Sequence, residues 1–322
     1  MCASTPNTVP EPIVLAAIRD QRDRILVSRR HDHAHQGGLW ELPGGKCEPG
    51  EAALAALQRE LQEEVGIRAG SVTPLIRIPY RYPDREVRLD VYEVRDWAGE
   101  PYGREGQPLR WVSTTELEGL AFPPANVPIL RALQLPERYL ITPEPEQPDT
   151  FLAALDQALE QGIKLVQLRI KRTPPAGLVE AAIERVHRHG ARILMNTGSL
   201  TPPPGADGIH LTADQLQGLK QRPLPAQMWV GASCHDQDEL ERAAALELDF
   251  AVYGPVQPTS THPDAVPAGW AGFAAACAAA RLPVYALGGM HRDEAETARQ
   301  HGGQGIAAIR GLWPAAVQKE ER

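Results

Sequence analysis

The chain has 322 residues and a formal net charge of −8 with a pI of about 5.7, which gives it length for two domains and an acidic balance. No basic tract or cation-interleaved aromatic stripe is present, which argues against a nucleic-acid polymer as partner; an anionic ligand on so acidic a chain needs cations at its site. Cys2, Cys47, Cys234 and Cys277 form no Cys-x-x-Cys pair, no basic-then-apolar leader is visible, and the alanine-rich stretch 271–280 is too short for a bilayer, so the expectation is a soluble, cytoplasmic protein with reduced thiols and no membrane partner.

In chain order, the first informative stretch runs from Gly45 to Ile67 and reads Gly-x5-Glu-x7-Arg-Glu-Leu-x-Glu-Glu-x-Gly-Ile. Leu54, Leu57, Leu61 and Val65 recur at helical spacing and predict an amphipathic helix, with Gly66 as a left-handed stop. Glu60, Glu63 and Glu64 then stand at i, i+3 and i+4 and share one face. Such carboxylates repel one another unless a divalent ion joins them; Mg2+, with Mn2+ as the alternative, takes hard oxygen ligands together with substrate phosphates. Pro43-Gly44-Gly45 ahead of the helix lets backbone approach a ligand closely.

Further on, Val87, Leu89 and Val91 alternate with Arg88 and Asp90 as in a strand, and the rhythm changes at Leu135-Pro136-Glu137. This places one domain at 1–135, with strands and a single helix, and a second at 136–322. In the second, apolar runs at 139–141, 164–168, 192–195, 208–211, 228–232, 249–253, 283–287 and 305–309 alternate mostly with helical stretches. Eight strands with crossovers predict a (β/α)8 barrel of the TIM-barrel type, in which 197–206, with three prolines, holds no helix.

The stretch 45–67 matches the Nudix box, and residues 11–133 resemble the MutT type of that family, the 8-oxo-dGTP diphosphatases. Ser28-Arg29-Arg30, Ala34-His35, Leu39 to Gly45, Tyr82-Pro83-Asp84-Arg85, the run from Gly99 to Pro108 and Phe122-Pro123-Pro124-Ala125-Asn126 carry the likeness. It implies an α/β/α sandwich that hydrolyses a nucleoside triphosphate at the β-phosphorus, giving monophosphate and pyrophosphate. The Gly44 carbonyl, Glu60, Glu63, Glu64 and Glu105 would hold metal; Glu60, or else Glu105, would be the general base. Arg30 and His35 would face phosphates and sugar, while Arg85, Asn126 and the backbone of Glu41, Leu42 and Pro43 would meet the base. Glu51 and Arg59 would brace the loop against the helix. Asn126 has its own logic: oxidation at C8 turns guanine N7 into a donor beside the O6 acceptor, and an amide offers the complementary pair.

From Arg138 to about Trp313 the chain resembles thiamine phosphate synthase, through Tyr139 to Thr142, Val166 to Lys171, Gly208 to Leu211, Gly254-Pro255-Val256 with Thr259 and Thr261, and Leu287 to Met290. The likeness implies a phosphate-shaped pocket at Gln167, Arg169, Lys171, Asn196, Gly288 and Gly289. Three departures argue against synthase activity: Asn196-Thr197 replaces an Asn-Asp pair whose Asp helps hold Mg2+, Thr212-Ala213-Asp214-Gln215 replaces Gly-Gln-Glu-Asp, and His262 replaces a lysine. The resulting expectation is an 8-oxo-dGTP hydrolase joined to a non-catalytic barrel that binds a phosphorylated small ligand. The alternatives are a hydrolase of thiamine-pathway pyrophosphates and a bifunctional enzyme that keeps synthase activity.

Overall fold

The structure, a computed structural model, describes residues 10–32, 36–82, 85–259 and 264–314. Two compact units divide the chain, Met1–Gln134 and Leu135–Arg322.

In the first unit the strands are β1 (Glu11–Ile18), β2 (Ile25–Arg29), β3 (Trp40–Glu41), β4 (Gly44–Lys46), β5 (Arg68–Ala69), β6 (Val72–Arg81), β7 (Glu86–Val94), β8 (Trp97–Ala98) and β9 (Leu109–Val112). Helix α1 (Ala53–Glu64) follows β4, and α2 (Val127–Gln134) ends the unit. The main sheet has the order β4-β1-β7-β6, with β1 and β7 parallel; β3-β2-β9 and β5-β8 form smaller sheets. Strand β1 explains the layering. Its alternate residues Val14, Ala16 and Ile18 pack with Leu57, Leu61 and Val65 of the α1 segment, while Leu15 and Ala17 pack with Ile129, Ala132 and Leu133 of α2. Helices therefore cover both faces, as an α/β/α sandwich requires.

Two details differ from the sequence pattern. Leu54 is 52% exposed, so the buried stripe begins at Leu57 and includes Ala56. Leu54 lies in the first turn, which points away from the sheet face. A second helix, α2, forms where a single helix was expected in this domain; Pro128 occupies its second position, where the missing N–H has no helical partner to lose. Gly66 has φ +72° and ends α1, with Ile67 N–H returning to the Leu61 carbonyl.

In the second unit β10 (Arg138–Ile141), β11 (Leu165–Arg169), β12 (Arg192–Asn196), β13 (Gly208–Leu211), β14 (Trp229–Cys234), β15 (Phe250–Tyr253), β16 (Val284–Leu287) and β17 (Gly305–Ala308) close a parallel barrel. Around it run α3 (Pro148–Glu160), α4 (Leu178–Arg188), α5 (Ala213–Gly218), α6 (Gln237–Ala245), α7 (Gly269–Ala279) and α8 (Ala295–Gln300), with no helix between β12 and β13. Tyr139, Phe250, Tyr285 and His210 pack in the barrel interior. Burial pushes His210 down to about 3, so it is neutral there. Among the described residues no helix is long and apolar enough to cross a membrane.

Candidate active site

The site of the first unit is built where β4 meets α1. Gly44 is a glycine for steric reasons, since a Cβ there, at φ +143°, would lie 2.1 Å from the Val14 carbonyl oxygen, while a Cβ on Gly45 would lie 2.3 Å from the movable Glu60 carboxylate. The Gly44 N–H donates to Glu64 Oε2 at 3.0 Å, tying the loop to the helix. Burial pushes the Glu64 carboxyl up to about 8; the Gly44 bond opposes this, and the charges of Glu41, Glu60 and Glu105 add to it. The sequence-predicted carboxylates Glu60, Glu64 and Glu105 are thus gathered in one electrostatic neighbourhood, with Glu41 as an addition.

Arg59 organises the exposed side of this cluster. Its guanidinium bonds Glu51 at 2.9 and 3.1 Å and the Lys46 carbonyl at 3.0 Å, bracing loop against helix, and it also reaches Glu60 at 2.7 Å and Glu63 at 3.2 Å. Arg30 pairs with Glu41, whose carboxyl is raised by burial and lowered in part by that arginine. With Glu60 and Glu63 drawn to Arg59, no three acidic, His or Cys side chains among the described residues converge as a ready-made cation cage. The donor chemistry nevertheless suits Mg2+ or Mn2+. All the donors are hard oxygens, and burial together with the neighbouring glutamates disfavours the bare Glu64 carboxylate, a penalty that a bound cation would offset.

Leu42, Ile78 and Ala125 belong to one apolar cluster, with Tyr80, Tyr82 and Phe122 packed against it. Asn126 closes the 3-10 turn Pro124–Asn126 that leads into α2; it is 6% exposed, and its side-chain amide bonds no other described residue. Arg85 lies with its guanidinium 5.5 Å from the Tyr82 ring, and its Nε is buried without a hydrogen-bond partner. His35 lies outside the described residues, as do Ala34, Pro83 and Asp84. Sequence reading assigned no role to Gln107 or to the Arg30–Glu41 pair, because both depend on contacts between separate segments.

At the barrel's strand ends, Gln167 is buried with its Oε1 unpartnered, Arg169 and Asn196 are half-buried, and Lys171 is exposed. Gly288 and Gly289 follow β16 with φ of +95° and +69°. Thr261 and His262 lie outside the described residues.

The family model described as NUDIX domain matches residues 14–132, and that described as Thiamine monophosphate synthase matches residues 138–312. The 8-oxo-dGTP diphosphatase of Escherichia coli (strain K12) is 42% identical over 122 residues, 38% of this chain and 95% of that protein. The chain belongs to both families. Its first unit is a Nudix pyrophosphohydrolase. The CTP pyrophosphohydrolase of the same organism is 37% identical over 119 residues, covering 37% of this chain and 88% of that protein. The "Putative thiamine-phosphate synthase 2" of Aquifex aeolicus (strain VF5) is 29% identical over 181 residues, covering 55% of this chain and 97% of that protein. In the synthase-family barrel, the stretch Thr212 to Gln215 serves the fold: Thr212 and Gln215 form a capping box for α5, and Gln215 Nε2 donates to the Gly198 carbonyl at 2.9 Å. Asp214 lies exposed in the first turn of that helix.

Proposed function

We propose that the Nudix unit hydrolyses 8-oxo-dGTP and related oxidised purine nucleoside triphosphates to monophosphate and pyrophosphate, removing damaged precursors before they enter DNA. The observation that carries this is Asn126, a largely buried residue whose side-chain amide bonds no other described residue. An amide offers one donor and one acceptor and is matched by a base edge that presents one acceptor and one donor, which oxidised guanine does and guanine does not; a mismatched edge leaves polar groups unmet at the contact, which is costly. Likeness to an 8-oxo-dGTP diphosphatase supports the same substrate.

Mg2+ or Mn2+ would be held by the Gly44 carbonyl, Glu60, Glu63 and Glu64, and when bound it supplies charge neutralisation on the nonbridging phosphate oxygens. The chain's own groups do the rest. Arg30 and His35 bind the phosphates and sugar, with Glu41 fixing the Arg30 fork. Arg85 and the backbone of Glu41, Leu42 and Pro43 flank the base. A glutamate takes the proton of the water that attacks the β-phosphorus, and the nucleoside monophosphate departs from the pyrophosphate formed there. Glu60 was the first expectation for this base, but it is ion-paired with Arg59. The Glu105 carboxylate has no hydrogen-bond or ion-pair partner among the described residues, so the base is assigned to Glu105 and Glu60 to the cation.

For the barrel, the unpartnered buried oxygen of Gln167 and the glycines after β16 support a binding module for a phosphorylated small ligand, with Arg169, Lys171 and Asn196 as further contacts. The fusion itself favours a second reading, in which the Nudix unit cleans pyrophosphates of the thiamine pathway. Comparing hydrolysis of 8-oxo-dGTP, dGTP, CTP, ADP-ribose and thiamine diphosphate by the full chain separates the two. The proposal expects 8-oxo-dGTP to lead dGTP by about 10³ or more in kcat/KM; preference for thiamine diphosphate would replace it with the second reading.

A further inference from the structure

Residues 100–108 form an irregular, mostly exposed loop before β9, and Gln107 is its buried side chain, 7% exposed between exposed Gly106 and Pro108. Burying a carboxamide is unfavourable unless both of its ends find partners. Both do. Oε1 accepts from the Glu105 backbone N–H at 2.9 Å, and Nε2 donates to the Glu64 backbone carbonyl at 3.0 Å. The same Glu64 carbonyl accepts the Arg104 N–H at 2.9 Å, Tyr102 N–H bonds the Val65 carbonyl at 3.1 Å, and the Arg104 guanidinium bonds the Gln62 carbonyl at 2.7 Å. These carbonyls end α1 and have no helical N–H to meet. The loop is thereby stapled to the helix that carries Glu60, Glu63 and Glu64. A Cβ at Gly103 would lie 2.0 Å from the Gln107 carbonyl oxygen, so the staple also accounts for that glycine.

We infer that Gln107 is a positioning residue: by joining the Glu105 amide to the Glu64 carbonyl it fixes the Glu105 carboxylate at the site in place of a freely swinging arm, a role that rests on the assignment of the base to Glu105 above. A base misplaced by about 1 Å costs on the order of 10² in rate, whereas substrate contacts made elsewhere are untouched. Loss of the staple therefore acts on kcat and spares KM.

The test uses the full chain with Mg2+ and 8-oxo-dGTP. Gln107→Met keeps the side chain's bulk and removes both hydrogen bonds; it is expected to lower kcat about 10- to 100-fold with KM within about twofold. In a Glu105→Gln background the same substitution is expected to cost less than about twofold, because there is no base left to position. Amide hydrogen exchange should quicken about tenfold or more at 104–105 while α1 stays as slow as in the unaltered protein. Should α1 also open, Gln107→Glu, which keeps shape and acceptor but loses the donor, is put through the same cycle. An equal loss in both backgrounds, or unchanged exchange, overturns the positioning role alone. A Glu105→Gln protein of full activity removes the base assignment and the inference with it, and the exchange data then still report whether the staple exists.

Discussion

On the proposed assignment, a proton and a divalent cation would compete for the Glu64 carboxylate. Burial and neighbouring glutamates raise its pKa from 4.5 to about 8, so between those values the folded protein keeps a proton that the unfolded chain has released. Stability without metal therefore falls as pH rises through that window. Denaturant unfolding in chelator at about pH 5 and about pH 8 should show the decline, and Glu64→Gln should flatten it; equal stabilities in the unaltered protein would mark Glu64 as an ordinary carboxylate. The same variant should lose about 100-fold or more in kcat with its fold intact by circular dichroism, since it removes a ligand and leaves a neutral partner for the Gly44 N–H. At the base, Asn126→Ala should shrink the 8-oxo-dGTP over dGTP preference by about 10² or more while leaving dGTP turnover within about threefold. A preserved preference would move recognition to another residue.

Helix α1 shows what periodicity can and cannot reveal. Its position, its stop at Gly66 and its acidic face were legible because they depend on neighbours three and four residues apart. Which leucines it buries depends on the sheet beneath: Leu57 is fully buried and Leu54 is 52% exposed. Leu57→Ala should accordingly cost about 2–5 kcal/mol in denaturant unfolding and Leu54→Ala within about 0.5 kcal/mol; similar costs would contradict the packing. Helix α2 was not expected: it is short, it follows the Pro123-Pro124 turn, and its own Pro128 sits in the first turn, where proline fits. The glutamates themselves were legible, and so, from the likeness, was the brace between Glu51 and Arg59; the other contacts that occupy them were not. Arg59 bridges Glu51, Glu60 and Glu63, Arg30 pairs with Glu41, and Gln107 joins a loop to a helix end some forty residues earlier, contacts of which only Arg59 with Glu63 lies at helical spacing. The barrel was the most legible element, since each fully covered parallel strand reads as an apolar run regardless of its neighbours.

Over the whole molecule, a hydrolase unit and a synthase-family barrel share one chain, and their sites call for different tests. In the barrel, Asn196-Thr197 stands where the synthase family has Asn-Asp and Asp214 is exposed on a capped helix, so few carboxylates would be at hand for a metal that offsets charge on a leaving pyrophosphate. Supplying the full chain with a hydroxymethylpyrimidine diphosphate and a thiazole phosphate should give no thiamine phosphate; product formation would reinstate the bifunctional reading. On the proposed reading of the Nudix unit everything depends on the carboxylates of α1 taking up a cation. Calorimetric titration of chelator-treated full-length protein with Mn2+ measures this directly. Saturable uptake in the unaltered chain, sharply weakened in Glu64→Gln, is the predicted result, and no heat of binding, or uptake indifferent to that substitution, would contradict the account.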